Sequence, residues 1–312
     1  MSHEHEGQGA PHVDVSPDDA RWGHADGPGD RGLRVHYVRT GDGAPVVLLH
    51  GWPGFWYDWR RVLPLLAGGV DVVAPDLRGF GRSAWPDGPP EVVSTPRALA
   101  ADVSALLDHL RLDAAVVVGH DLGATVAQAL ARAAPARVRA LVLCNPPYPG
   151  IGLRRFDPSV QPEFWYQHLH ALPWAERLIG HDRETVRLYL THFYDHWAGR
   201  KEAVRPREFD WIVDAYARPG AMRASIAYYR ARAAERLREA TAGPPATRIA
   251  HPTVVVWGEA DPVMRAAWSD RLPEYFADVT LRLLPGVGHF VPIEAPDEVV
   301  AAVHEALARP RV

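Results

Sequence analysis

Asp121 stands in Gly119-His120-Asp121-Leu122-Gly123-Ala124, with one glycine two residues before it and another two after. Upstream, Ala114-Ala115-Val116-Val117-Val118 is a β-branched apolar run with the length of a strand buried on both faces. Downstream, Thr125 to Arg132 is rich in helix formers and stops ahead of Pro135. Asp121 is thereby placed on a sharp strand-to-helix turn, where flanking glycines let the backbone pass close by without collision. The spacing is that of a nucleophile elbow, G-x-Nuc-x-G, with a carboxylate where serine usually stands. An Asp is an anion at pH 7, and the unpaired N–H groups at a helix start favour its charge. Carboxylate attack on an acyl carbon would give a reactive anhydride, so its useful targets are saturated carbons bearing a leaving group. The product is an ester that water must cleave. An isolated Asp in this position would read simply as a helix cap.

Two downstream residues change that reading. Pro252 to Gly258 is a strand leading into Glu259-Ala260-Asp261, and Val279 to Leu284 is a strand leading into Pro285-Gly286-Val287-Gly288-His289. Nucleophile, acid and base thus follow in chain order, each just past a strand. In a parallel sheet such loops converge at one end, so Asp121, Asp261 and His289 can meet. Val46-Val47-Leu48-Leu49 is a further buried strand ending in His50-Gly51-Trp52-Pro53-Gly54. A glycine there lets amides turn inward, which makes the backbone N–H groups of Trp52 and Leu122 the candidate oxyanion hole.

The elements that must position these residues are read as follows. Residues 1–30 are polar and aperiodic and are expected to form a flexible tail. Strands are expected at Leu33 to Arg39, 70–75 and Val138 to Cys144. A helix capped by Thr95, with Pro96 in its first turn, runs to about Leu110. Asp76 to Ser83 reads as a tight loop braced by an Asp/Arg pair. After Asn145 the strand pattern is lost. Residues 146–248 read as aromatic-rich helices holding seven of the ten tyrosines, which points to a helical cap that excludes water from a pocket. Residues 31–145 and 249–312 are the two parts of the main domain, closed by a helix from about Pro296 to Ala308. The fold class is α/β, a mostly parallel sheet with helices on both faces and an inserted helical cap.

At 312 residues and 47% hydrophobic, the chain can bury a full core. A net charge of −4, with 34 basic and 38 acidic residues spread along it, carries no nucleic-acid signature. The single cysteine, Cys144, excludes an internal disulfide framework and reads as a small core residue. No apolar run is long enough for a membrane span, and the N-terminus has no apolar signal core. The expectation is a cytoplasmic enzyme without metal or cofactor, monomeric or homodimeric, and its Ala, Arg, Gly and Pro content fits a GC-rich bacterial genome.

From about residue 30 onward the chain resembles an α/β-hydrolase of the epoxide hydrolase and dehalogenase branch. The resemblance is carried by His50-Gly51-Trp52-Pro53, Asp76-Leu77-Arg78-Gly79-Phe80-Gly81, Gly119-His120-Asp121-Leu122-Gly123, Trp257-Gly258-Glu259-Ala260-Asp261 and Gly288-His289. It implies Asp121 as nucleophile, His289 as the base that activates water, and Asp261 as the group that orients the imidazole. Epoxide hydrolases of this type use two cap tyrosines as proton donors. Phe164-Trp165-Tyr166-Gln167 and Ala227-Tyr228-Tyr229-Arg230 resemble the segments that carry them, which implies Tyr166 and Tyr229. Adjacent helical residues point about 100° apart, so only one of Tyr228 and Tyr229 is expected to face the cleft. His50, Pro53, Trp165 and Tyr228 are expected around the substrate. A dehalogenase of this branch would have Trp after the nucleophile, or Arg at the positions of Leu122 and Thr125; neither is present, although Tyr229 and Trp165 fit a halide site. The implied activity is hydrolysis of a small apolar epoxide to a vicinal diol. The alternatives are haloalkane or haloacetate dehalogenation and noncatalytic ligand binding on the same fold.

Overall fold

In a computed structural model, which describes residues 15–310, eight strands form one sheet in the order β1-β2-β4-β3-β5-β6-β7-β8. They are β1 (His24–Pro28), β2 (Arg34–Thr40), β3 (Ala44–Leu49), β4 (Val70–Pro75), β5 (Ala115–His120), β6 (Val138–Cys144), β7 (Thr253–Gly258) and β8 (Val279–Leu284). β1, β2 and β4 pair antiparallel, and every pairing from β4 through to β8 is parallel. The apolar runs of β4, β5 and β7 are buried along their whole length, as strands covered on both faces must be. β8 sits at an edge and alternates in burial.

The sheet order reverses around β3, which lies between β4 and β5, so the crevice at the carboxyl ends of β3 and β5 is where an open α/β sheet offers a site. Register brings the strand ends to a common level. Leu49 pairs with Gly119, His120 with Cys144, Cys144 with Val256 and Gly258 with Leu284. The loops that follow β3, β5, β6, β7 and β8 leave the sheet together.

Helix α1 (Pro96–His109) begins as expected, with the Thr95 hydroxyl accepting from Ala98 N–H at 3.2 Å. Helix α2 (Leu122–Ala133) follows Asp121. Between β6 and β7 the chain is helical, including α3 (Trp165–Ala171), α4 (Arg183–Trp197), α5 (Pro206–Tyr216) and α6 (Ala221–Thr241). These helices are anchored to the loop after β3. Tyr194 donates to the Pro53 carbonyl (2.8 Å), Tyr216 accepts from Gly54 N–H (2.7 Å), and Arg60 pairs with Glu208 through two 2.8 Å bonds. α7 (Pro296–Ala308) closes the chain and packs on β6 and β7.

Two expectations change. The tail expected over residues 1–30 gives way, because β1 pairs with β2 and the buried Trp22 ring meets Trp56 edge-on at 5.3 Å; the first fourteen residues lie outside the described ones. The Asp/Arg pair expected to brace the loop after β4 joins its Arg78 to Asp102 of the following helix, while Asp76 makes other bonds. Asp76 accepts from Trp56 N–H (2.9 Å) and Arg82 N–H (2.8 Å) and bonds the His36 ring (2.7 Å). Arg78 turns away and grips Asp102 with two 2.6 Å bonds. Asp76 thereby ties the loop after β4 to the loop after β3.

Candidate active site

Asp121 occupies the turn between β5 and α2 at φ 46°, ψ −113°, a conformation that L-residues rarely adopt. Close packing holds it there. A Cβ on Gly119 would lie 2.5 Å from the Gly123 carbonyl, and one on Gly123 would lie 2.1 Å from the Leu49 carbonyl, so α2 rests directly on the strand ends. One carboxylate oxygen of Asp121 accepts from Trp52 N–H at 3.1 Å, and the Leu122 amide at the start of α2 also favours the carboxylate's charge. Trp52 can approach because Gly51 has no side chain: a Cβ there would lie 2.7 Å from the His120 ring and 2.9 Å from Asp121 Cβ. Burial pushes the Asp121 carboxyl above its ordinary range, against the pull of His289 and the two amides.

His289, in the loop after β8, bonds Asp261 Oδ2 through Nδ1 at 2.7 Å, and both side chains are buried. Asp261 reaches across from the loop after β7, its Oδ1 accepting from Val263 N–H (2.8 Å) and Met264 N–H (2.9 Å). With its carboxylate committed as an acceptor, His289 carries its proton on Nδ1. Nε2 is then left buried without a partner among the described residues. Burial draws the imidazole down, but the Asp261 charge and hydrogen bond, together with Asp121, outweigh it and leave His289 above its ordinary value.

Over the carboxylate lies a cluster of rings. Trp52 stacks parallel on Tyr166 with centroids 5.3 Å apart, and Tyr229 meets each of these two edge-on at 5.4 Å. A cavity of about 40 Å³ is lined by Asp121, Leu122, Tyr166, Tyr228, Tyr229 and other residues of the helical segment. Burial first pushes both Tyr166 and Tyr229 above the ordinary phenol range, followed by the negative charge of Asp121 for Tyr166 and by Tyr166 and then Asp121 for Tyr229. Their hydroxyls are protonated at neutral pH.

An elbow carboxylate, two amides on it, and an Asp-oriented histidine arriving from the next two strand ends form one arrangement. Comparison with known proteins places it. Residues 44–296 match the family model described as alpha/beta hydrolase fold. The chain belongs to the alpha/beta hydrolase family. It is 34% identical to the soluble epoxide hydrolase of Corynebacterium sp. (strain C12), over 86% of this chain and 92% of that protein. It is 31% identical to haloalkane dehalogenase 2 of Mycobacterium tuberculosis (strain ATCC 25618 / H37Rv), over 94% of this chain and 98% of that one. Among solved structures, the ligand-free epoxide hydrolase CorEH superposes with a TM-score of 0.81 at 30% identity, covering 91% of this chain and 98% of that one.

Within this hydrolase the sequence-derived residues sort into three groups. Asp121, His289 and Asp261 are brought together, with the amides of Trp52 and Leu122 on the carboxylate. Tyr166 and Tyr229 face the cavity, and so does Tyr228, contrary to the expectation that only one of the tyrosine pair would. The two rings bound different sides, Tyr229 against Trp52 and His170, and Tyr228 beside Thr125. His50, Pro53 and Trp165 are the corrections, since none of them lines the cavity. The His50 ring is fully buried, accepting from Leu77 N–H (3.0 Å) and donating to the Gly51 carbonyl (2.9 Å), which fixes the loop that carries Trp52 N–H. Pro53 follows a cis bond and offers its carbonyl to Tyr194. Trp165 is 39% exposed and packs on His192 and Phe193, because one step along a helix turns a side chain away from Tyr166's direction.

Two residues of the hydrolase's site gave no motif to read. Asn145, at φ 43° just past β6, donates to Asp261 Oδ2 (2.6 Å) and to the Gly288 carbonyl (3.0 Å), while its own oxygen accepts from Gly258 N–H (2.8 Å). It ties three strand-end loops together. The buried Glu294 accepts four backbone N–H groups: Gly199, Arg200 and Gly288 on Oε2 and Phe290 on Oε1, at 2.8–2.9 Å. These donors flank His289 on both sides. The only sequence sign of either residue is a polar side chain next to an apolar run. Glu294→Gln turns an amide N–H₂ toward buried donors, at a cost of about 1–3 kcal/mol for each group left unsatisfied. Thermal unfolding should show a Tm about 2–5 °C lower, and turnover should fall at least about tenfold with KM nearly unchanged, as His289 loosens. A variant with wild-type kcat would separate Glu294 from the placement of His289.

Proposed function

We propose that this hydrolase opens an epoxide to a vicinal diol through an ester on Asp121. The observation that carries the reading is the placement of two protonated tyrosines, Tyr166 and Tyr229, in one cavity with the elbow carboxylate. Asp121 attacks a ring carbon, the C–O bond breaks, and its electron pair passes to the epoxide oxygen, which is far too basic to leave without a proton. Tyr166 and Tyr229 supply that proton. Gln167 Nε2 donates to the Tyr166 oxygen at 2.9 Å, so the hydroxyl's own hydrogen points elsewhere and is available for the substrate. In the second half, His289 Nε2 takes a proton from water as its oxygen adds to the ester carbonyl. The tetrahedral oxyanion rests on the N–H groups of Trp52 and Leu122; on collapse the acyl C–O bond breaks, His289 gives its proton to the departing diol oxygen, and the proton left on the new carboxyl returns to the tyrosinate, regenerating the Asp121 carboxylate and the protonated tyrosines.

The relation to a haloalkane dehalogenase favours a second reading, in which a halide leaves and needs only donors to cradle it. Leu122 has no side-chain N–H, and the indole N–H of Trp165 lies 3.4 Å from His192 on the outer face, so neither fits that role. A noncatalytic binder would have no need of Asp121, Asp261 and His289 together.

The test is a single turnover of styrene oxide in oxygen-18 water, followed by mass spectrometry of the Asp121 peptide and of the diol. Label is expected in Asp121 and not in the first diol, because water enters at the ester carbonyl. Label in the diol alone would mean that water opens the ring directly. Halide release from a haloalkane with no diol from any epoxide would give the second reading the field.

A further inference from the structure

Three guanidinium groups lie on the wall of the cavity that holds Asp121: Arg155, Arg232 and Arg236. Arg232 is neutralised, pairing with Glu235 at 3.1 Å and Glu239 at 2.6 Å. The other two are not. Arg155 donates to Gln167 Oε1 at 3.1 Å and covers the Phe164 ring at 4.7 Å. Arg236 donates to the same Gln167 oxygen and to the Tyr229 carbonyl, and covers the Tyr229 ring at 5.6 Å. Among the described residues neither has a carboxylate within ion-pair distance; their partners are neutral oxygens and ring faces.

Charge placed this way is costly. Burial comes first and the neighbouring guanidiniums second in pushing Arg155 down to about 10, and Arg236 is lowered by burial as well. Like charges held partly out of water without a counter-ion are stable only at a price met elsewhere, unless something else supplies the counter-ion. Among the described residues Asp121 is the only carboxylate on the cavity wall. What Arg155 and Arg236 lack is a carboxylate in direct contact, since the two that are near, Glu235 and Glu239, are both taken by Arg232.

We propose that the substrate carries a carboxylate, which enters between Arg155 and Arg236 as their missing counter-ion while Asp121 opens its epoxide ring. The inference rests on the proposed ring opening and adds the substrate class. The planar guanidinium fork matches a carboxylate through two parallel N–H···O bonds, and this binding changes no covalent bond in the reaction. The aromatic rings still supply apolar walls for the rest of the molecule, so the aromatic density that suggested an apolar substrate describes only one part of the site. The same two arginines hold the Gln167 oxygen and thereby turn its N–H₂ toward Tyr166. An anion seated on them would lie one residue away from the proton donor.

Two measurements on the intact enzyme test this. The first compares kcat/KM for trans-3-phenyloxirane-2-carboxylate and the matching carboxamide, which differ in charge and hardly in shape. At least a tenfold preference for the carboxylate is expected, expressed mainly in KM. Arg155→Met and Arg236→Met should each cut that ratio several-fold, and Arg236→Lys should restore part of it. Arginines that merely brace Gln167 would lower both substrates alike and leave the ratio untouched, which would overturn the proposal. The second uses trans-cinnamate and cinnamamide, which have no ring to open, in titration calorimetry. Cinnamate is expected to bind at least tenfold more tightly, with the difference shrinking in Arg236→Met. Equal affinities would overturn the anion site whatever the reaction. Tight cinnamate binding with no diol from either epoxide would uphold the anion site and remove the epoxide reading instead.

Discussion

Replacing His289 by glutamine should leave an enzyme that opens about one equivalent of epoxide and then stops. In the proposed reaction the first half needs the Asp121 carboxylate and the two tyrosines, none of which the substitution replaces. The second needs a base on water. Glutamine offers an amide that can still donate to Asp261 but cannot accept a proton, so turnover should fall by about 10³-fold or more. Intact-protein mass spectrometry would then show the enzyme heavier by the mass of the epoxide, with the added mass on the Asp121 peptide. An unmodified protein that has also lost turnover would place His289 in ring opening and contradict the two-step scheme.

The charges around His289 also set a pH dependence. In the free enzyme Asp121 is one of the causes that hold the imidazole above its ordinary value, after Asp261. Once Asp121 is esterified its negative charge is gone, so His289 gives up its proton more readily in the intermediate, which is the state that requires a base. Ester cleavage is fastest above the imidazole pKa of that intermediate and fades as pH falls through it. Ring opening asks for ionised Asp121, which protonated His289 helps to keep charged, and for tyrosines that stay protonated as the pH falls. Quenched-flow sampling at decreasing pH should therefore find the ester accumulating before turnover is lost. Ester that declines in step with turnover would mean that both halves titrate together.

What the sequence made legible follows from how strongly each element constrains its own residues. β4 and β6 begin and end where their apolar stretches do, since a buried strand admits little else, and β8, at the edge, begins and ends with its alternation of apolar and polar residues. The elbow was readable because the Asp121 turn leaves no space for a Cβ at 119 or 123. β1 was not. His24-Ala25-Asp26-Gly27-Pro28 has no β-branched residue, and it is a strand because β2 offers it an edge and Trp22 packs beside it on Trp56. Asn145 and Glu294 each bond backbone groups from two segments that are distant from one another in the chain, a role that leaves no local spacing to recognise. Trp165 and His50 show the reverse limit: motif resemblance brought them to the site, while helical phase turned Trp165 outward and hydrogen bonding to the Gly51 loop committed His50 to holding up Trp52. The cluster of Arg155, Arg232 and Arg236 arises from two segments some eighty residues apart in the chain and exists only once the helices have packed.

The double substitution Tyr166→Phe with Tyr229→Phe should slow ring opening by about 10³–10⁴-fold, and each single change by a smaller factor, since general acids contribute about 10²–10⁴. Phenylalanine keeps both rings, so the 5.3 Å stack on Trp52 and the edge contact between the two rings survive, and loss of folding is not the expected cause. The timing of proton donation comes from charge. The Asp121 carboxylate helps to keep both phenols protonated in the free enzyme, since its negative charge disfavours a nearby phenolate. As Asp121 bonds to carbon, that charge passes to the epoxide oxygen, and the obstacle to losing the phenol proton weakens as the acceptor's need for it grows. Cleavage of an ester formed beforehand releases the diol oxygen from the acyl carbon with the proton that His289 took from water, not with one from the tyrosines, so its rate should change little in the same variant. Rapid-quench kinetics resolve the two halves. Ring opening within tenfold of wild type in the double variant would remove the tyrosines from the reaction, and an equal slowing of both halves would point to a general disturbance of the site.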